Sequence, residues 1–267
     1  MPPPPNAAHA PRWRLLDTPP APGAWNMAVD EALAETVRRG GVPVLRLYRW
    51  RPACLSLGRH QPARGRYDTA ALAARGIEVV RRPTGGRAVL HHRELTYSVA
   101  APGALLGELR TAYATINRAL VAGLRRLGVD AGLQGVTGAS APKPSLTPCF
   151  DLPVEGEVVA QGRKLVGSAQ QRSGGVLLQH GSLLLEDDQS AVPGLLLAGG
   201  TVAPAPASLA ALLGRVPGWE ELAGALAAGW EEALGVELRR EALTADEEER
   251  AAALAERYAA PAWTWHL

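Results

Sequence analysis

Apolar positions along the chain fall into two periods. Leu109, Tyr113, Ile116, Leu120, Leu124 and Leu127 recur every three or four residues, which predicts an amphipathic helix over 108–127 closed by Gly128. Residues 26–39 read as a second helix, with Asn26 as N-cap, Asp30 and Glu31 in the early turns, and Arg38 and Arg39 ahead of Gly40-Gly41. Residues 219–234 form a third, and 244–258 a fourth that starts at Thr244 and Asp246. A short helix over 68–75 stops at Gly76. Elsewhere the period drops to two. Residues 44–50 alternate as Val-Leu-Arg-Leu-Tyr-Arg-Trp, and strands are predicted there and over 54–58, 77–82, 88–91 and 95–100. Residues 157–171 and 175–185 read as strands around turns at Gln161-Gly162 and Ser173-Gly174-Gly175. Residues 131–147, rich in Gly, Pro and Ser, read as a long loop of the kind that is usually functional.

Strands crowd the middle and helices surround them, with no internal repeat and no break in composition. The expected fold is α+β, a mixed β-sheet flanked by helices. The Pro/Ala-rich start reads as a disordered tail over 1–12, and 13–267 as one domain. At 267 residues and 47% hydrophobic content the chain can bury a substantial core. A formal charge of +2 is too small to argue for nucleic acid. No apolar run suits a membrane span or signal peptide. Two cysteines make neither a disulfide framework nor a metal-ligand spacing and suit a reducing compartment, so a cytoplasmic protein is expected.

Candidate chemistry starts from rarity. Only Lys143 and Lys164 are lysine among 28 Lys and Arg residues. Unlike arginine, a buried lysine can release its proton, and its ammonium lowers the pKa of a nearby thiol. Cys149, beside the only phenylalanine, Phe150, is the candidate nucleophile, and Lys164 its partner. An inert half-buried cysteine is the plainer reading of Cys149, and it suits Cys54, inside Ala53-Cys54-Leu55, better. A second block is Arg81-Arg82-Pro83-Thr84-Gly85-Gly86-Arg87-Ala88-Val89-Leu90-His91. Its glycines let backbone approach a ligand and its arginines suit carboxylate or phosphate, but it also reads as a tight turn with solvated arginines. No Gly-Lys-Ser/Thr follows, so it is not a Walker loop. The third block is Lys164-Leu165-Val166-Gly167-Ser168-Ala169-Gln170 with Gln179-His180-Gly181-Ser182. Strand alternation puts Lys164, Val166 and Ser168 on one face and small Gly167 and Ala169 on the other, open to a ligand; a plain hairpin is the alternative. His91-His92 with Glu94 lacks the helical spacing of zinc proteases and reads as a solvated strand end. Gly181-Ser182 lacks the nucleophile elbow. The pairs Arg38-Arg39, Arg125-Arg126 and Arg239-Arg240 read as solvated faces.

Together these blocks resemble the lipoate/biotin protein ligase superfamily, and within it octanoyltransferases of the LipM type. The resemblance spans nearly the whole chain, from Asn26-Met27-Ala28-Val29-Asp30-Glu31-Ala32-Leu33 through Tyr48-Arg49-Trp50 and Ser56-Leu57-Gly58-Arg59-His60-Gln61. It continues in the Arg81–His91 block, Glu94-Leu95-Thr96-Tyr97-Ser98-Val99, Cys149-Phe150, the two β blocks and Trp263-Thr264-Trp265. It implies a lipoate/biotin protein ligase catalytic-domain-like sheet around an acyl pocket. It also implies transfer of octanoyl from octanoyl-acyl carrier protein to a lysine of a lipoyl domain. That domain would belong to the glycine cleavage H protein or the E2 component of a 2-oxoacid dehydrogenase. The chemistry would need no cofactor or metal, and a monomer is expected. Cys149 would carry the acyl group as a thioester, and Lys164 would lower its pKa and relay protons. Substrate would meet Arg82, Thr84, Gly85, Gly86, Arg87, Ala88, Gly167, Ser168, Ala169 and Gly181, with His91 and His180 in the pocket wall.

The resemblance leaves alternatives. An ATP-dependent lipoate ligase shares the fold, the arginine and glycine block and the lysine. Its relatives usually carry Ser-Gly-Gly-Gly and an Asp-Gly-Asn run, where this chain has Thr-Gly-Gly-Arg and His92-Arg93-Glu94. No room is evident for the ligase's extra C-terminal domain. An amidotransferase between lipoyl proteins would use the same cysteine. A catalytically dead relative that binds lipoyl domains is the alternative outside enzymology; retention of both Cys149 and Lys164 argues against it. His92 stands where the family usually has aspartate.

Overall fold

The computed structural model describes residues 10–135, 150, 154–200 and 204–267. It opens with β1 (Arg12–Asp17), a strand the hydrophobic pattern did not announce. Its four central residues are all buried, so the period-two signal of a half-exposed strand is absent. Helix α1 (Gly23–Arg38) follows, then β2 (Val44–Tyr48), β3 (Cys54–Leu57), α2 (Thr69–Ala74), β4 (Glu78–Arg81), β5 (Val89–His91) and β6 (Glu94–Pro102). The long helix α3 (Leu109–Arg126) leads into β7 (Ala131–Leu133), and then come β8 (Val158–Ala160), β9 (Arg163–Ser173) and β10 (Val176–Leu184). The last part contains α4 (Leu209–Leu213), α5 (Trp219–Leu234), β11 (Glu237–Arg240), α6 (Ala245–Ala259) and α7 (Pro261–Thr264). The expected loop over 131–147 thus begins as a strand, and its residues from 136 onward lie outside the described residues.

Capping residues account for the helix ends read correctly. Asp68 accepts the Ala71 amide at the start of α2, and Thr244 and Glu247 form a reciprocal capping box on α6. Asn26 is the exception. Helix α1 starts at Gly23, with Pro22 before it, and Asn26 lies inside the helix, fully buried. Its amide donates to the carbonyls of Ala21 and Arg49, stitching the start of α1 to the end of β2. A polar side chain with two tertiary carbonyls in reach is better satisfied there than at a solvent-facing cap. Leu109, expected on the buried stripe of α3, is exposed at the helix's first residue.

Eight strands form one mixed sheet in the order β11-β1-β2-β6-β10-β9-β8-β7. The pairs β11–β1 and β1–β2 are parallel, and the others antiparallel. A second sheet, β4-β3-β5, lies beside it. Along β2, Leu45 and Leu47 join the cluster that holds Ile116, Leu120 and Leu124 of α3 and Leu226 and Trp230 of α5. Val44 and Tyr48, one residue out of phase, join Met27, Val29 and Leu33 of α1 and Leu254 and Tyr258 of α6. Helices therefore cover both faces of the large sheet. A buried ion pair ties β1 to this second layer, with Arg14 donating to both carboxylate oxygens of Glu247 at 2.6 and 2.9 Å. The site lies on the α1 face of β10 and β9, beneath the small sheet.

Candidate active site

The Arg81–His91 block connects β4 to β5, and its arginines are buried rather than solvated. The Arg81 guanidinium donates to the carbonyls of Gly58, Gln61 and Thr264 at 2.7, 2.8 and 2.9 Å. That of Arg82 donates to the carbonyls of Ser56, Gly85 and Arg87 at 3.0, 2.7 and 2.8 Å. These cations shape the loop from inside, where the carbonyls they donate to satisfy buried guanidinium N–H groups. The glycine pair permits a close approach. A Cβ on Gly58 would fall 2.0 Å from the Gly86 carbonyl oxygen, and Gly86 has φ +90°.

The β9–β10 hairpin brings the third block together, with Gly167 opposite Ser182, Ser168 opposite Gly181 and Ala169 opposite His180. One correction arises here. Against β8, the register steps from Val166 to Lys164 where β8 advances by a single residue, so β9 has a bulge at Leu165. The extra residue resets the alternation, and Lys164 reaches the side of Gly167 instead of sharing a face with Val166. Its Cε lies 3.4 Å from where a Cβ on Gly167 would be, and that Cβ would be 2.9 Å from two ring carbons of Phe150. Gly167 is therefore the space in which Phe150 and Lys164 meet. The Lys164 ammonium is buried, donates to Glu157 at 2.6 Å and sits 5.2 Å from the centre of the Phe150 ring.

Two histidines carry hydrogen-bonded relays. His180 has Nδ1 3.0 Å from Asp30 Oδ2 and Nε2 2.6 Å from Thr84 Oγ1. Burial pushes the Asp30 carboxyl up, but the hydrogen bond from His180 and the charge of Arg46, 2.8 Å away, outweigh it and hold the carboxyl below its ordinary value. His91 is buried, not a solvated strand end. Its ring stacks on Trp50 at 4.1 Å, and its Nε2 lies 2.8 Å from Ser56 Oγ. Burial lowers its pKa against the opposing pull of Glu94, so the ring is held neutral. Sequence reasoning missed Ser56, Trp50, Thr96, Asp30 and Glu157 as part of this setting; their signal was burial of polar groups, which only the fold reveals.

These parts enclose a cavity of about 400 Å³ of empty space, its open mouth included, with almost wholly apolar walls. Of the residues expected at substrate, Arg82, Gly86, His91, Gly167, Ser168, Ala169, His180 and Gly181 line it. Thr84 stands behind His180, and Gly85 accepts from Arg82 within the loop. The Arg87 carbonyl also accepts from Arg82 and its side chain is buried, while Ala88 packs into the core of the small sheet. Lys164 adjoins the cavity through Gly167. Cys149 and Lys143 lie outside the described residues. Cys54 is buried against α1, and burial pushes its thiol well above the ordinary value. His92 is half exposed and 3.3 Å from Asp188, away from the cavity lining. Among the described residues no group of three or more His, Cys, Asp or Glu is arranged to hold a metal ion, and no helix is long and apolar enough to cross a membrane.

The profile of the lipoyl protein ligase A/B catalytic domain matches residues 22–229. Octanoyltransferase LipM of Kyrpidia tusciae is 45% identical over 95% of this chain and 98% of its own length. That of Symbiobacterium thermophilum is 43% identical over 94% and 97%. Among solved structures, lipoate-protein ligase A bound with ATP superposes with a TM-score of 0.77 at 28% identity, covering 96% of this chain and 98% of the other. A bipartite lipoate protein ligase from Thermoplasma acidophilum, described with its E2 lipoyl domain, gives 0.73 at 25% identity over 96% of each.

Proposed function

Because the chain belongs to the lipoyl protein ligase A/B catalytic-domain family, we propose that it is an octanoyltransferase of lipoate biosynthesis. In this reading residues 13–267 form one acyltransferase domain working in the cytoplasm. It moves octanoyl from octanoyl-acyl carrier protein to a lysine of a lipoyl domain, such as the glycine cleavage H protein. One observation carries the reading: an apolar cavity has a buried lysine at Gly167, packed with Phe150, the covalent neighbour of Cys149.

The chemistry follows from a donor that is already an activated thioester. The Cys149 thiolate attacks its carbonyl carbon, a new C–S bond forms, and the carrier thiolate leaves and takes up a proton. The acceptor amine then attacks the enzyme thioester, an amide forms, and the Cys149 thiolate is released. The Lys164 ammonium, oriented by Glu157, favours the thiolate and moves the protons. Beyond Val166, β9 has no strand partner on its β8 side among the described elements. The Ser168 carbonyl faces that side, where the Tyr113 hydroxyl lies at 3.5 Å, so strand alternation directs the Ser168 N–H there too, as a donor for the oxyanion. Nothing in this sequence of steps requires a cofactor.

The test is intact mass after mixing the protein with octanoyl-acyl carrier protein in the absence of ATP. An octanoyl adduct is expected. It should map to Cys149, vanish on addition of a lipoyl domain, be lost in Cys149→Ala and persist in Cys54→Ala. Modification of the lipoyl domain that needs octanoate and ATP, with no adduct, would instead make the protein a ligase like the ATP-bound structure it is similar to.

A further inference from the structure

A row of three residues crosses the middle of the large sheet behind the cavity. Tyr97 of β6 stands opposite Gly181 of β10, and Gly181 stands opposite Ser168 of β9. Residues directly opposite share a face, here the α3 face, where Tyr97 joins the cluster of Ile116 and Leu120. Two strand spacings, about 10 Å, separate the Tyr97 and Ser168 backbones. Their hydroxyls are nevertheless 2.7 Å apart. The tyrosine can reach because the residue between them has no side chain. A Cβ on Gly181 would fall 2.6 Å from Tyr97 Cε1 and 2.7 Å from Ser168 Oγ. Gly181 therefore serves two faces: it lines the cavity, and its missing side chain lets the hydroxyl pair meet over the strand.

The polarity of this pair is fixed from the far end of a chain of hydrogen bonds. Asn117 of α3, fully buried, donates through Nδ2 to the Gly156 carbonyl at 2.8 Å, and a carbonyl can only accept. Its Oδ1 therefore faces Gln179, whose Nε2 donates to it at 3.3 Å and to the Tyr97 oxygen at 2.8 Å. With an N–H aimed at its oxygen, Tyr97 has its own proton left for Ser168 Oγ. Burial pushes the phenol up to about 12, so that proton is in place at neutral pH. The chain of polar groups thus joins Gly156, next to the Glu157 that holds Lys164, to Ser168 on the other side of the site.

We infer that Tyr97 is a positioning residue for acyl transfer: its hydroxyl, reaching over Gly181, pins Ser168 so that the Ser168 N–H stays aimed at the oxyanion. The inference rests on the reading above, in which that N–H is the donor beside Lys164. A donor kept free for substrate cannot also be held in a strand ladder. Beyond Val166, β9 is paired on its β10 side alone among the described elements. The angle of Ser168 is then set by one ladder and by its own side chain. The Tyr113 hydroxyl, 3.5 Å from the Ser168 carbonyl, is at the limit of hydrogen bonding. The Tyr97 hydroxyl at 2.7 Å is the firm contact, and it acts from the face of the sheet opposite the cavity.

Tyr97→Phe removes the hydroxyl and keeps the ring. Its kcat for transfer from octanoyl-acyl carrier protein to a lipoyl domain should fall about 10-fold or more, with both KM values near wild type. A misplaced oxyanion donor weakens binding of the transition state and not of the substrates. Ser168→Ala, at a half-buried position, removes the other partner and should cost the same factor. The double variant should lose no more than either single one. Losses that multiply, or a raised KM with an unchanged kcat, would overturn the inference. Hydrogen exchange reads the anchoring without the chemistry. The segment 167–173 should exchange about 10-fold faster in either single variant, with α5 unaltered. Exchange at the wild-type rate overturns the inference whatever the protein transfers. If the wild type forms no octanoyl adduct from the carrier and needs octanoate and ATP, the reading fails. The same kcat comparison is then made on the adenylate reaction, whose amide-forming step builds the same oxyanion. A loss there keeps Tyr97 in its role, and no loss removes it.

Discussion

Lys164 shows how much of this chemistry depends on single side chains. Its identity was conspicuous in a chain where nearly every other cation is arginine, but its placement depends on the bulge at Leu165. Lys164→Arg keeps the charge and gives up the exchangeable proton. It also puts a larger, planar head where the lysine contacts Glu157 at 2.6 Å and lies over Phe150. Acyl transfer in this variant should fall by about 10²-fold or more, close to that of Lys164→Ala, the range expected for loss of a general acid–base group. Single-turnover transfer to a lipoyl domain measures it, and a normal rate for the arginine variant would reduce Lys164 to a point charge. Cys54 was legible too: an apolar neighbourhood in sequence became burial in the fold, with its thiol pushed upward.

Secondary-structure elements are held in place by a few buried polar links. Asn26 joins α1 to the end of β2, Asp30 joins it to Arg46 and Tyr48, and Arg14 joins β1 to α6 through Glu247. The last is the cleanest to cut. Glu247→Ala leaves the Arg14 guanidinium, whose side chain is 6% exposed, with Glu241 and the Ala242 carbonyl, each at 2.9 Å, and removes one half of the α6 capping box. Destabilisation of about 3 kcal/mol is expected, near the lower end for breaking a buried pair. A urea midpoint close to that of the wild type would mean that Glu241, the Ala242 carbonyl and water suffice for Arg14. These links also explain why helix boundaries were read well where caps are local, as at Asp68 and Thr244, and missed at Asn26, whose partners come from Ala21 and Arg49.

For the molecule as a whole, burial of His91 at the site makes stability depend on pH. His91 has its folded pKa held below the ordinary 6.5 by burial. Below 6.5 the unfolded chain therefore binds a proton that the folded one resists, and stability rises with pH. The His91 contribution is present in full above that value and is lost as pH falls from it towards the depressed folded value. The wild type should lose stability between pH 7.5 and about 5.5, and His91→Gln should flatten the slope, as read from urea midpoints across the range. An unchanged slope would place the titration elsewhere.

By itself the sequence determined the class of the fold, the main helices and hairpin strands, and the blocks that make up the site, because periodicity, caps and turn residues act over a few neighbours. It did not determine β1 and β11 at the sheet edge, since a strand buried on both faces or made of four mostly charged residues shows no alternation. Nor did it determine that Arg81 and Arg82 face inward, that Lys164 turns to Gly167, or that Asp30, His180 and Thr84 meet across 150 residues of chain. Those outcomes depend on which distant carbonyl, carboxylate or ring can satisfy a buried polar group, and only the tertiary structure brings those partners together.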